Sequence, residues 1–493
     1  MNPITRTEAM TALSDGDFIS VDTIVNLYGV HGSDRSRVAI VGGYNWIGDG
    51  GGGVFFWDPS TTAGENYGTT IVPTNSPRGR WLRSYSGPLD VRYFGAKGQG
   101  NRAQTDQVNI NLAIAAAAAQ GGGEVYVPPG AYMTTGPIVI NVPSVRLIGA
   151  GPASRIVPLG SFNTIEINNT RFVEVGKLFL DDSSKPAGKA IEAIGVGNLT
   201  LADVIVLGPC DGIHLHNFNH VNVDRVSVVK PRGRDGYGFW LSGGGKSDTG
   251  RSDAISFKDV VVEGLGFTNA RPGEFITDGR RHGLIIDGSV NTVSVNKLYI
   301  LAMQGVGVWF RNVAEASSNP EFASFYGLEV DFPQLEGIRI DVGQRLYLTD
   351  TMIHQSHERT NVAVGTDVAT GVNTVSFKGG FSSGAWLSGI DIWGKDVCVQ
   401  GMNILANSRS RPAESDGSAG VEVRGSARQI SISSNTVGDP DKNQAYGIRI
   451  ASGASDYAII GNLATGNKSG GIRNTPGSTA GLREVVGNTG AVV

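Results

Sequence analysis

The stretch from residue 283 to residue 341 contains one short phrase three times, as Gly283-Leu-Ile-Ile-Asp287, Gly307-Val-Trp-Phe-Arg311 and Gly337-Ile-Arg-Ile-Asp341. In each phrase a glycine precedes a run with an apolar residue at every second position, which is typical of a β-strand with one buried face. Two further alternating runs follow each phrase, such as Val293-Ser-Val295 and Leu298-Tyr-Ile300 after the first. Three short strands per repeat predict a parallel β-helix.

The same phrase recurs at Gly212, Gly238, Gly389, Gly420, Gly447 and Gly471. Most neighbouring phrases are 24 to 31 residues apart, but 45 residues separate Gly238 from Gly283 and 52 separate Gly337 from Gly389. We expect the second gap to contain one more coil, beginning near Asn361-Val-Ala-Val364. A leucine-rich solenoid would need a Leu/Asn consensus that the chain lacks, and a β-propeller would need four strands in each blade of about 40 residues.

The composition of the chain limits its function. Only 17% of the 493 residues are charged, the formal net charge is −4, and no basic stripe is present, which argues against a nucleic-acid partner. Cys210 and Cys398 are too few for a disulfide framework or a cysteine-rich metal site. No run approaches about 18 apolar residues, so we expect no membrane insertion. The first residues lack the apolar core of a signal peptide, which indicates synthesis in the cytoplasm, with virion association or release by lysis.

Three regions follow one another along the chain. Residues 1–88 form a head with short β-like runs around a glycine cluster, Gly48–Gly53. Residues 89–140 form a lead-in segment, in which an alanine-rich helix is predicted over Asn101–Gln120 and ends at three glycines. Residues 141–493 hold the repeated coils. The open apolar end of a solenoid needs a cap, and the helix is placed to supply one.

The lead-in segment carries two recognisable phrases, Asp90-Val-Arg-Tyr-Phe-Gly-Ala-Lys-Gly-Gln-Gly100 and Val127-Pro-Pro-Gly130-Ala-Tyr132. They resemble the opening of the pectate-lyase-like right-handed β-helix superfamily of phage tailspikes and polysaccharide depolymerases. Gln99 and Asn101–Gln104 stand where that family often has paired aspartates. The head phrases Gly48–Asp58 and Gly79-Arg-Trp-Leu-Arg83 are also similar to the segment that precedes such β-helices.

The resemblance implies an all-β fold, namely a single-stranded right-handed parallel β-helix with an N-terminal head and a capping α-helix. It implies less about the reaction, because lyases, hydrolases, epimerases and non-catalytic adhesins share this fold. It also implies a homotrimer, possible attachment to a virion and a polysaccharide substrate. The second strands present small outward residues that suit packing between subunits or a plain solvent face: Asn222, Ser256, Ser294, Ser324, Cys398 and Ser431.

The outward positions of the first strands form ladders, because adjacent coils stack about 4.8 Å apart. These positions include residues that suit a glycan, since indoles stack on sugar rings and arginines bind acidic groups: Trp240, Trp309, Trp393, Arg311 and Arg339. Asp287 and Asp341 lie two coils apart, roughly 10 Å by this spacing, which is marginally compatible with an inverting glycosidase pair. The alternative is an Asp–Arg–Asp ladder that stabilises strand pairing.

The ends of the third strands carry a second set of candidate residues. Glu329 and Asp331 point the same way, about 6.5–7 Å apart by two strand rises, and form a usable carboxylate pair. Tyr299 precedes Glu329 by one coil, and His354 is expected beside Asp331. The alternative interpretation is that these residues are ordinary solvated strand ends.

A long insertion, Thr268–Arg281, follows one third strand and leads into His282. Long loops on a rigid scaffold often carry function, so Arg280, Arg281 and His282 are predicted to bind a uronate or to act as a lyase base. The alternative is a polar, solvated loop. Neither clustered acids for calcium nor a complete zinc ligand set accompanies His214, His216 and His220, so no metal and no cofactor are predicted.

The sequence therefore predicts a depolymerase that hydrolyses a bacterial surface polysaccharide with paired carboxylates, one as acid and one as base. Glu329, Asp331, Asp287 and Asp341 are the catalytic candidates. A polysaccharide lyase that acts by β-elimination on a uronate-containing glycan is the first alternative. A non-catalytic receptor-binding or structural spike is the second.

Overall fold

The computed structural model describes residues 18–32, 37–244, 250–264, 279–312, 316–366, 371–409, 418–475 and 481–493. These residues belong to two compact units, Met1–Asp181 and Asp182–Val493. The remaining residues include most of the insertion predicted between Thr268 and Arg281, which thus lies outside the described part of the chain.

The head of the first unit is a small β-sheet. Its elements are β1 (Phe18–Thr23), α1 (Ile24–Leu27), β2 (Val38–Gly43), β3 (Gly53–Asp58), β4 (Thr70–Ile71) and β5 (Arg80–Ser84). The strands lie in the order β1-β2-β3-β5-β4, around a core that contains Phe55, Trp57 and Trp81. The glycine cluster allows the buried guanidinium group of Arg83 to donate to the carbonyl oxygens of Gly51 and Gly52, at 2.7 and 2.6 Å. The head is therefore more regular than its sequence pattern indicated.

The capping helix is shorter than predicted. β6 (Leu89–Asp90) and a 3₁₀ turn (Val91–Phe94) precede α2 (Gln107–Ala119), which begins six residues after Asn101. Residues before the helix have other backbone partners. Asp106 N–H donates to the carbonyl oxygen of Met133 at 2.7 Å, and the Asp106 carboxylate accepts from the Lys97 N–H at 2.6 Å.

The first coils lie in the same unit as the head. Their strands are β7 (Gly123–Val127), β8 (Gly130–Thr134), β9 (Ile138–Ile140), β10 (Val145–Gly149), β11 (Ser154–Pro158), β12 (Ile165–Asn168) and β13 (Arg171–Asp181), with a 3₁₀ turn at Gly151–Ala153. β7 pairs with β10, β8 with β11 and β9 with β12, all parallel. The first coil therefore begins at Gly123, inside the predicted lead-in segment, and α2 packs its apolar side against these strands.

The second unit consists of parallel coils. Its strands are β14 (Lys189–Ile194), β15 (Gly197–Leu207), β16 (Asp211–His216), β17 (Asn219–Asp224), β18 (Ser227–Val229), β19 (Tyr237–Gly243), β20 (Ser252–Glu263), β21 (His282–Gly288), β22 (Val290–Leu301), β23 (Val308–Arg311), β24 (Glu321–Asp331), β25 (Ile338–Ile340), β26 (Gly343–His354), β27 (Val362–Val364), β28 (Val372–Ser383), β29 (Ile390–Ile392), β30 (Lys395–Gln400), β31 (Asn403–Leu405), β32 (Ala419–Val423), β33 (Arg428–Ser433), β34 (Thr436–Gly438), β35 (Tyr446–Ile450), β36 (Ser455–Ile460), β37 (Gly470–Asn474) and β38 (Arg483–Val486).

The predicted strand-one phrases form one parallel sheet, which we call the first sheet. Within the second unit its strands are β14, β16, β19, β21, β23, β25, β27, β29, β32, β35 and β37. The expected additional coil is confirmed, because β27 pairs with β25 on one side and β29 on the other. β19 pairs directly with β21, so the gap of 45 residues between Gly238 and Gly283 is an insertion.

The second and third strands of the middle coils are continuous rather than separate. β20, β22, β24 and β26 each contain 11 or 12 residues, and each bends between its second and third runs at a residue with positive φ. That residue is Asp259, Lys297, Gly327 or Asp350, with φ between 50° and 65°. One left-handed residue turns the chain while the flanking residues stay paired with their neighbours. The parallel β-helix fold is thereby confirmed, with inward Val, Ile, Leu and Phe as its core.

The coil interior also contains polar ladders. Asn435, Asn462 and Asn488 lie in successive coils, and their side chains are joined by hydrogen bonds of 2.9 Å. Each amide thus satisfies polar groups at a buried corner, where an unpaired group would be costly. Among the described residues, no helix is long and apolar enough to cross a membrane.

Candidate functional site

The first sheet carries the predicted ladder in the predicted register. Trp240 is the neighbour of Ile285, Ile285 of Trp309 and Trp309 of Arg339. In the next column Asp287 is the neighbour of Arg311. The two-residue periodicity of the sequence therefore predicted correctly which face of the sheet carries these residues.

A cavity of about 310 Å³ lies along this ladder. Its lining residues are Asp235, Tyr237, Trp240, Arg280, His282, Ile285, Val306, Trp309, Arg311, Leu335 and Arg339. A second cavity, of about 500 Å³, shares Asp235, Tyr237 and Trp240 with the first and continues to Lys189 and Asp211. We call the two together the first-sheet groove. Its extent over several coils suits an extended chain rather than a compact small molecule.

Tryptophan and arginine side chains interleave in the groove. The Arg311 guanidinium lies 4.8 Å from the ring centre of Trp309 and 5.7 Å from that of Trp240. Arg339 lies 5.1 Å from the Trp309 ring. Cation–π contacts of this kind hold both side-chain types in fixed positions. The groove thus combines flat apolar surfaces with fixed positive charge.

Asp287 and Asp341 are held in ion pairs. Asp287 is 2% exposed and accepts from Arg311 Nε at 2.9 Å. Asp341 accepts from Trp309 Nε1 and from Arg339 Nε, each at 2.8 Å. The pair of Arg311 with Asp287 is one half of the Asp–Arg–Asp ladder that the sequence left as an alternative, whereas Asp341 pairs with Arg339 of its own coil. A burial this complete gives Asp287 little access to a substrate, so its assignment as a catalytic acid or base lacks support from the geometry.

Arg281 and His282 are buried, which differs from the polar, solvated loop that the sequence left as an alternative. His282 begins β21 and is 6% exposed, and Arg281 is 3% exposed and donates to the carbonyl oxygen of Arg232 at 3.1 Å. His282 Nδ1 accepts a hydrogen bond from the Val306 N–H at 3.1 Å. Burial, together with the charge of Arg311, lowers the pKa of His282 to about 3. Strand pairing buries Arg281 and His282, because β21 begins before Gly283, where the sequence pattern placed the start of the strand.

The sequence interpretation missed Tyr237, which lines the groove, and Glu336, which directly follows the lining residue Leu335. Tyr237 and Glu336 share with His282 the position directly before a strand-one glycine, and this common position was a usable signal. Burial raises the pKa of Tyr237 well above its ordinary value, and burial also raises that of Glu336. Of the three residues predicted from the end of the insertion, Arg280 and His282 line the groove and Arg281 does not.

The third-strand candidates are brought together as expected. Tyr299 is the register neighbour of Glu329, and Asp331 is that of His354. The Tyr299 hydroxyl donates to Asp331 Oδ2 at 3.3 Å. We call Tyr299, Glu329, Asp331 and His354 the carboxylate cluster.

The two carboxyl groups of this cluster are closer than the predicted 6.5–7 Å, because Glu329 is hydrogen-bonded to Asp331. Burial raises the pKa of Glu329, and the neighbouring charge of Asp331 adds to the effect. Burial and the same charge raise the pKa of Tyr299 to about 12. The cluster therefore places a carboxyl group of raised pKa beside a second carboxyl group, which is a usual arrangement for acid–base chemistry.

Two phenylalanine side chains, of which Phe332 is exposed, lie beside the carboxylate cluster. The His354 ring lies 4.6 Å from that of Phe381. Phe332, directly after Asp331, is 37% exposed and lies 6.3 Å from the His357 ring. A polar cluster flanked by aromatic rings is typical of a surface that binds sugars.

Trp393 lies outside the first-sheet groove. It follows β29, two strands beyond β25 in the first sheet, and packs 5.2 Å from the Arg424 guanidinium. Arg424 in turn forms two hydrogen bonds with Asp391, at 2.6 and 2.8 Å. Trp393 is thus a separate aromatic position on the same sheet. Among the described residues, no group of three or more His, Cys, Asp or Glu side chains is placed to hold a metal ion.

Comparisons with known proteins agree with this architecture. Residues 20–86 match the family model of the phage tail protein small four-stranded β-sheet domain, and residues 89–179 match that of the rhamnogalacturonase A/epimerase, pectate lyase-like family. The resemblance to phage-tail and pectate-lyase-like proteins is confirmed. No curated protein matches the chain significantly in sequence.

Solved structures share the fold at low sequence identity. The A-module of mannuronan C-5 epimerase AlgE4 from Azotobacter vinelandii is 16% identical, with a TM-score of 0.52 over 81% of this chain and 99% of the other. The AlgE6 A-module from the same organism is 18% identical, with a TM-score of 0.50 over 82% and 99%. The tailspike protein gp49 of Acinetobacter baumannii bacteriophage Fri1, a capsular polysaccharide depolymerase, is 15% identical, with a TM-score of 0.48 over 90% and 71%.

Proposed function

We propose that this protein is a depolymerase that binds an acidic bacterial surface polysaccharide in the first-sheet groove and hydrolyses its glycosidic bonds. The observation that carries the proposal is the pair Tyr237 and Trp240. The Tyr237 hydroxyl and the Trp240 Nε1–H are buried and have no hydrogen-bond partner within the described part of the chain. Such groups are costly unless a ligand or water satisfies them, and sugar hydroxyl groups are suited to do so.

The charge of the groove indicates an acidic glycan. Five basic residues line it, against two carboxylates, Asp211 and Asp235: Lys189, Arg234, Arg280, Arg311 and Arg339. Guanidinium groups bind sugar carboxylates through paired hydrogen bonds, and the indole of Trp309 offers a flat surface to a sugar ring. Binding therefore combines stacking with charge neutralisation.

Hydrolysis is assigned to the carboxylate cluster. Glu329, whose raised pKa favours its protonated form, acts as the general acid, and Asp331, oriented by the Tyr299 hydroxyl, acts as the second carboxylate. The hydrogen bond between the two carboxyl groups is shorter than the separation of about 5 Å in retaining enzymes. Since their Cα atoms are two strand residues apart, about 6.5–7 Å, side-chain rotation is enough to admit a glycosidic oxygen.

A lyase is the second candidate, because the arginines that neutralise a uronate carboxylate also assist β-elimination. The groove does not offer His282 as the base, however. Its Nδ1 already accepts from the Val306 N–H, so the neutral ring carries its proton on Nε2 and presents a donor. Tyr237 would then have to act as the base of the lyase.

Attachment to a virion and assembly into a homotrimer belong to the same proposal. The match of residues 20–86 to a phage tail domain supports attachment. Ser256, Ser294 and Ser324 are successive neighbours in a column of small outward residues, and the next neighbour in that column is the exposed Tyr347. The run of three serines suits close contact between subunits.

The test is to incubate the full chain with a panel of capsular, lipopolysaccharide and exopolysaccharide glycans and to measure both reducing ends and ultraviolet absorbance of unsaturated uronates. New reducing ends without absorbance support hydrolysis. Absorbance supports the lyase. Binding of a glycan with neither product would leave a non-catalytic spike and overturn the enzymatic proposal.

A further inference from the structure

Beside the first-sheet groove lies a hydrogen-bonded chain of three side chains that depolymerisation does not use. Glu192 Oε1 is 3.3 Å from His214 Nδ1, and His214 Nε2 is 2.9 Å from the hydroxyl oxygen of Ser242. The three residues come from successive strands of the first sheet, β14, β16 and β19. We propose that Glu192, His214 and Ser242 form a nucleophilic hydrolase site that removes O-acyl groups, acetyl above all, from the bound polysaccharide.

The hydrogen-bonding capacity of each group sets the direction of the chain. An ionised carboxylate only accepts, so His214 Nδ1 must carry the proton that binds Glu192. In the neutral ring Nε2 is then an acceptor, and the Ser242 hydroxyl must donate to it. His216 Nδ1, also 2.9 Å from the Ser242 oxygen, is left as a donor to that oxygen. Serine to histidine to carboxylate is the direction that activates a serine nucleophile.

The charge states agree with this direction. The hydrogen bond from His214 is the main cause that lowers the pKa of Glu192 to about 2, and Lys189, 2.8 Å away, adds to it. Burial lowers the pKa of His214 below its ordinary value. At neutral pH the site therefore holds an ionised carboxylate and a neutral imidazole, which is the resting state that general-base catalysis requires.

The rigid setting of His214 favours catalysis over chance contact. Its ring is stacked on Trp240, with centroids 4.3 Å apart and planes 20° apart. Glu192 and Trp240 are its register neighbours on either side in the first sheet. The base is thus fixed by a carboxylate, a stacked indole and the backbone, as the positioning of a catalytic imidazole demands.

The site borders the proposed glycan path, although Ser242 and His214 are only 7% and 8% exposed and line neither cavity. Trp240, which stacks on His214, lines both cavities of the groove, and Lys189, the partner of Glu192, lines the larger one. Arg311 lies over Trp240 and is paired with Asp287, the register neighbour of Ser242. Arg311 thus lies two strands from Ser242 in the first sheet, with Asp287 between them.

The reaction balances with water alone. The Ser242 oxygen bonds to the acyl carbon while its proton moves to His214 Nε2. The bond from the acyl carbon to the sugar oxygen then breaks, and that oxygen takes the proton from Nε2. Water then attacks the acyl carbon of the acyl-serine and gives a proton to Nε2. The bond between the acyl carbon and the Ser242 oxygen breaks, that oxygen takes the proton back from Nε2, and a carboxylic acid leaves.

The assignment of a glycan ester as the substrate rests on the proposed function. The assignment of Ser242 as a nucleophile does not, so substrate and nucleophile are tested separately. The first experiment treats the full chain with an alkyl fluorophosphonate and with p-nitrophenyl acetate. We expect mass spectrometry to find the phosphonyl group on Ser242 and Ser242→Ala to lose at least about 10³-fold in ester turnover. The matched control is Ser256→Ala, a serine of β20 whose hydroxyl bonds Asn222 at 2.8 Å.

The second experiment measures acetate release from O-acetylated polysaccharide and from the same glycan after alkaline de-acetylation. Ser242→Ala should lose acetate release and keep reducing-end release. Acetate release without depolymerisation would leave the esterase standing and the proposed depolymerase wrong. Labelling elsewhere, with turnover of p-nitrophenyl acetate unchanged in Ser242→Ala, would overturn the inference.

Glu192 is a positioning residue and needs its own readout. Glu192→Gln should reduce ester turnover strongly, and Glu192→Asp should restore part of it, because an ionised acceptor for Nδ1–H returns. His214→Gln should match Ser242→Ala, since the base and the nucleophile act as one unit. If circular dichroism shows that both variants are folded and Glu192→Gln and Glu192→Asp have equal ester turnover, the proposed role of Glu192 beside His214 and Ser242 is wrong.

Discussion

The hydroxyl group of Tyr299 donates a hydrogen bond to Asp331 Oδ2 at 3.3 Å, although the two residues lie in neighbouring coils. The bond exists because the coils stack in register, with Leu301 beside Asp331 and Tyr299 beside Glu329. A tyrosine on one coil therefore orients a carboxylate on the next. The carboxylate cluster depends on coil stacking as much as on the strand that carries Glu329 and Asp331.

Tyr299→Phe removes this hydroxyl without changing the ring. We expect the rate of depolymerisation to fall about tenfold, because Asp331 loses the donor that orients it. The free energy of unfolding should change by no more than about 1 kcal/mol, since Tyr299 is partly exposed. Reducing-end assays and urea titration measure the two quantities. An unchanged rate would place the bond outside the mechanism.

Glu329→Gln removes the proposed general acid. Turnover should fall at least about 10²-fold, with little loss of glycan binding. In the unaltered protein activity should decline as pH rises through the raised pKa of Glu329, because only the protonated carboxyl donates. The control is Glu321→Gln on the same strand, which removes a pair with Arg345. If Glu321→Gln and Glu329→Gln had equal effects, the assignment of the acid would be wrong.

Trp309→Ala tests the groove as the place where the glycan binds. The substitution removes a stacking surface and the contacts that hold Arg311 and Arg339. We expect the dissociation constant for the polysaccharide to rise at least about tenfold by calorimetry. Trp393→Ala, on the same sheet but outside the groove, should change it much less. Similar losses for both would indicate a binding surface that extends past the groove.

The sequence predicted the fold because the repeat is periodic, and it predicted the ladder because strand periodicity assigns each side chain to a face. It could not predict the contact between Glu329 and Asp331, because their separation depends on rotamers rather than on spacing. It placed His282 on a loop, because residues before Gly283 gave no sign that pairing with Tyr237 extends β21. The link from Glu192 to Ser242 crosses three strands diagonally, and β14 lacks the apolar phrase that marks the other coils.

Arg280→Gln tests the charge of the expected ligand. Arg280 lines the groove, so its loss should weaken binding of an acidic glycan and leave binding of the carboxyl-reduced glycan unchanged. Binding should also become less sensitive to salt, because one charge contact is lost. Arg345→Gln, outside the groove lining, is the matched control. Equal weakening for both forms of the glycan would show that Arg280 contributes contact area rather than charge.

Glu192→Gln should make the protein less sensitive to acid. The pKa of Glu192 falls from its ordinary 4.5 to about 2, chiefly through the hydrogen bond with His214. A carboxyl group with a lowered pKa stabilises the fold above the unfolded value, and that contribution is lost as pH falls from about 4.5 toward 2. Glu192→Gln has no such contribution to lose. Its melting temperature should therefore lie below that of the unaltered protein at pH 6, and the difference should shrink as pH falls through this window. Thermal unfolding at intervals across it measures the difference. If the difference in melting temperature stayed constant across this pH range, the hydrogen bond with His214 would not be what keeps Glu192 ionised. The direction assigned to the hydrogen bonds from Ser242 through His214 to Glu192 would then be wrong.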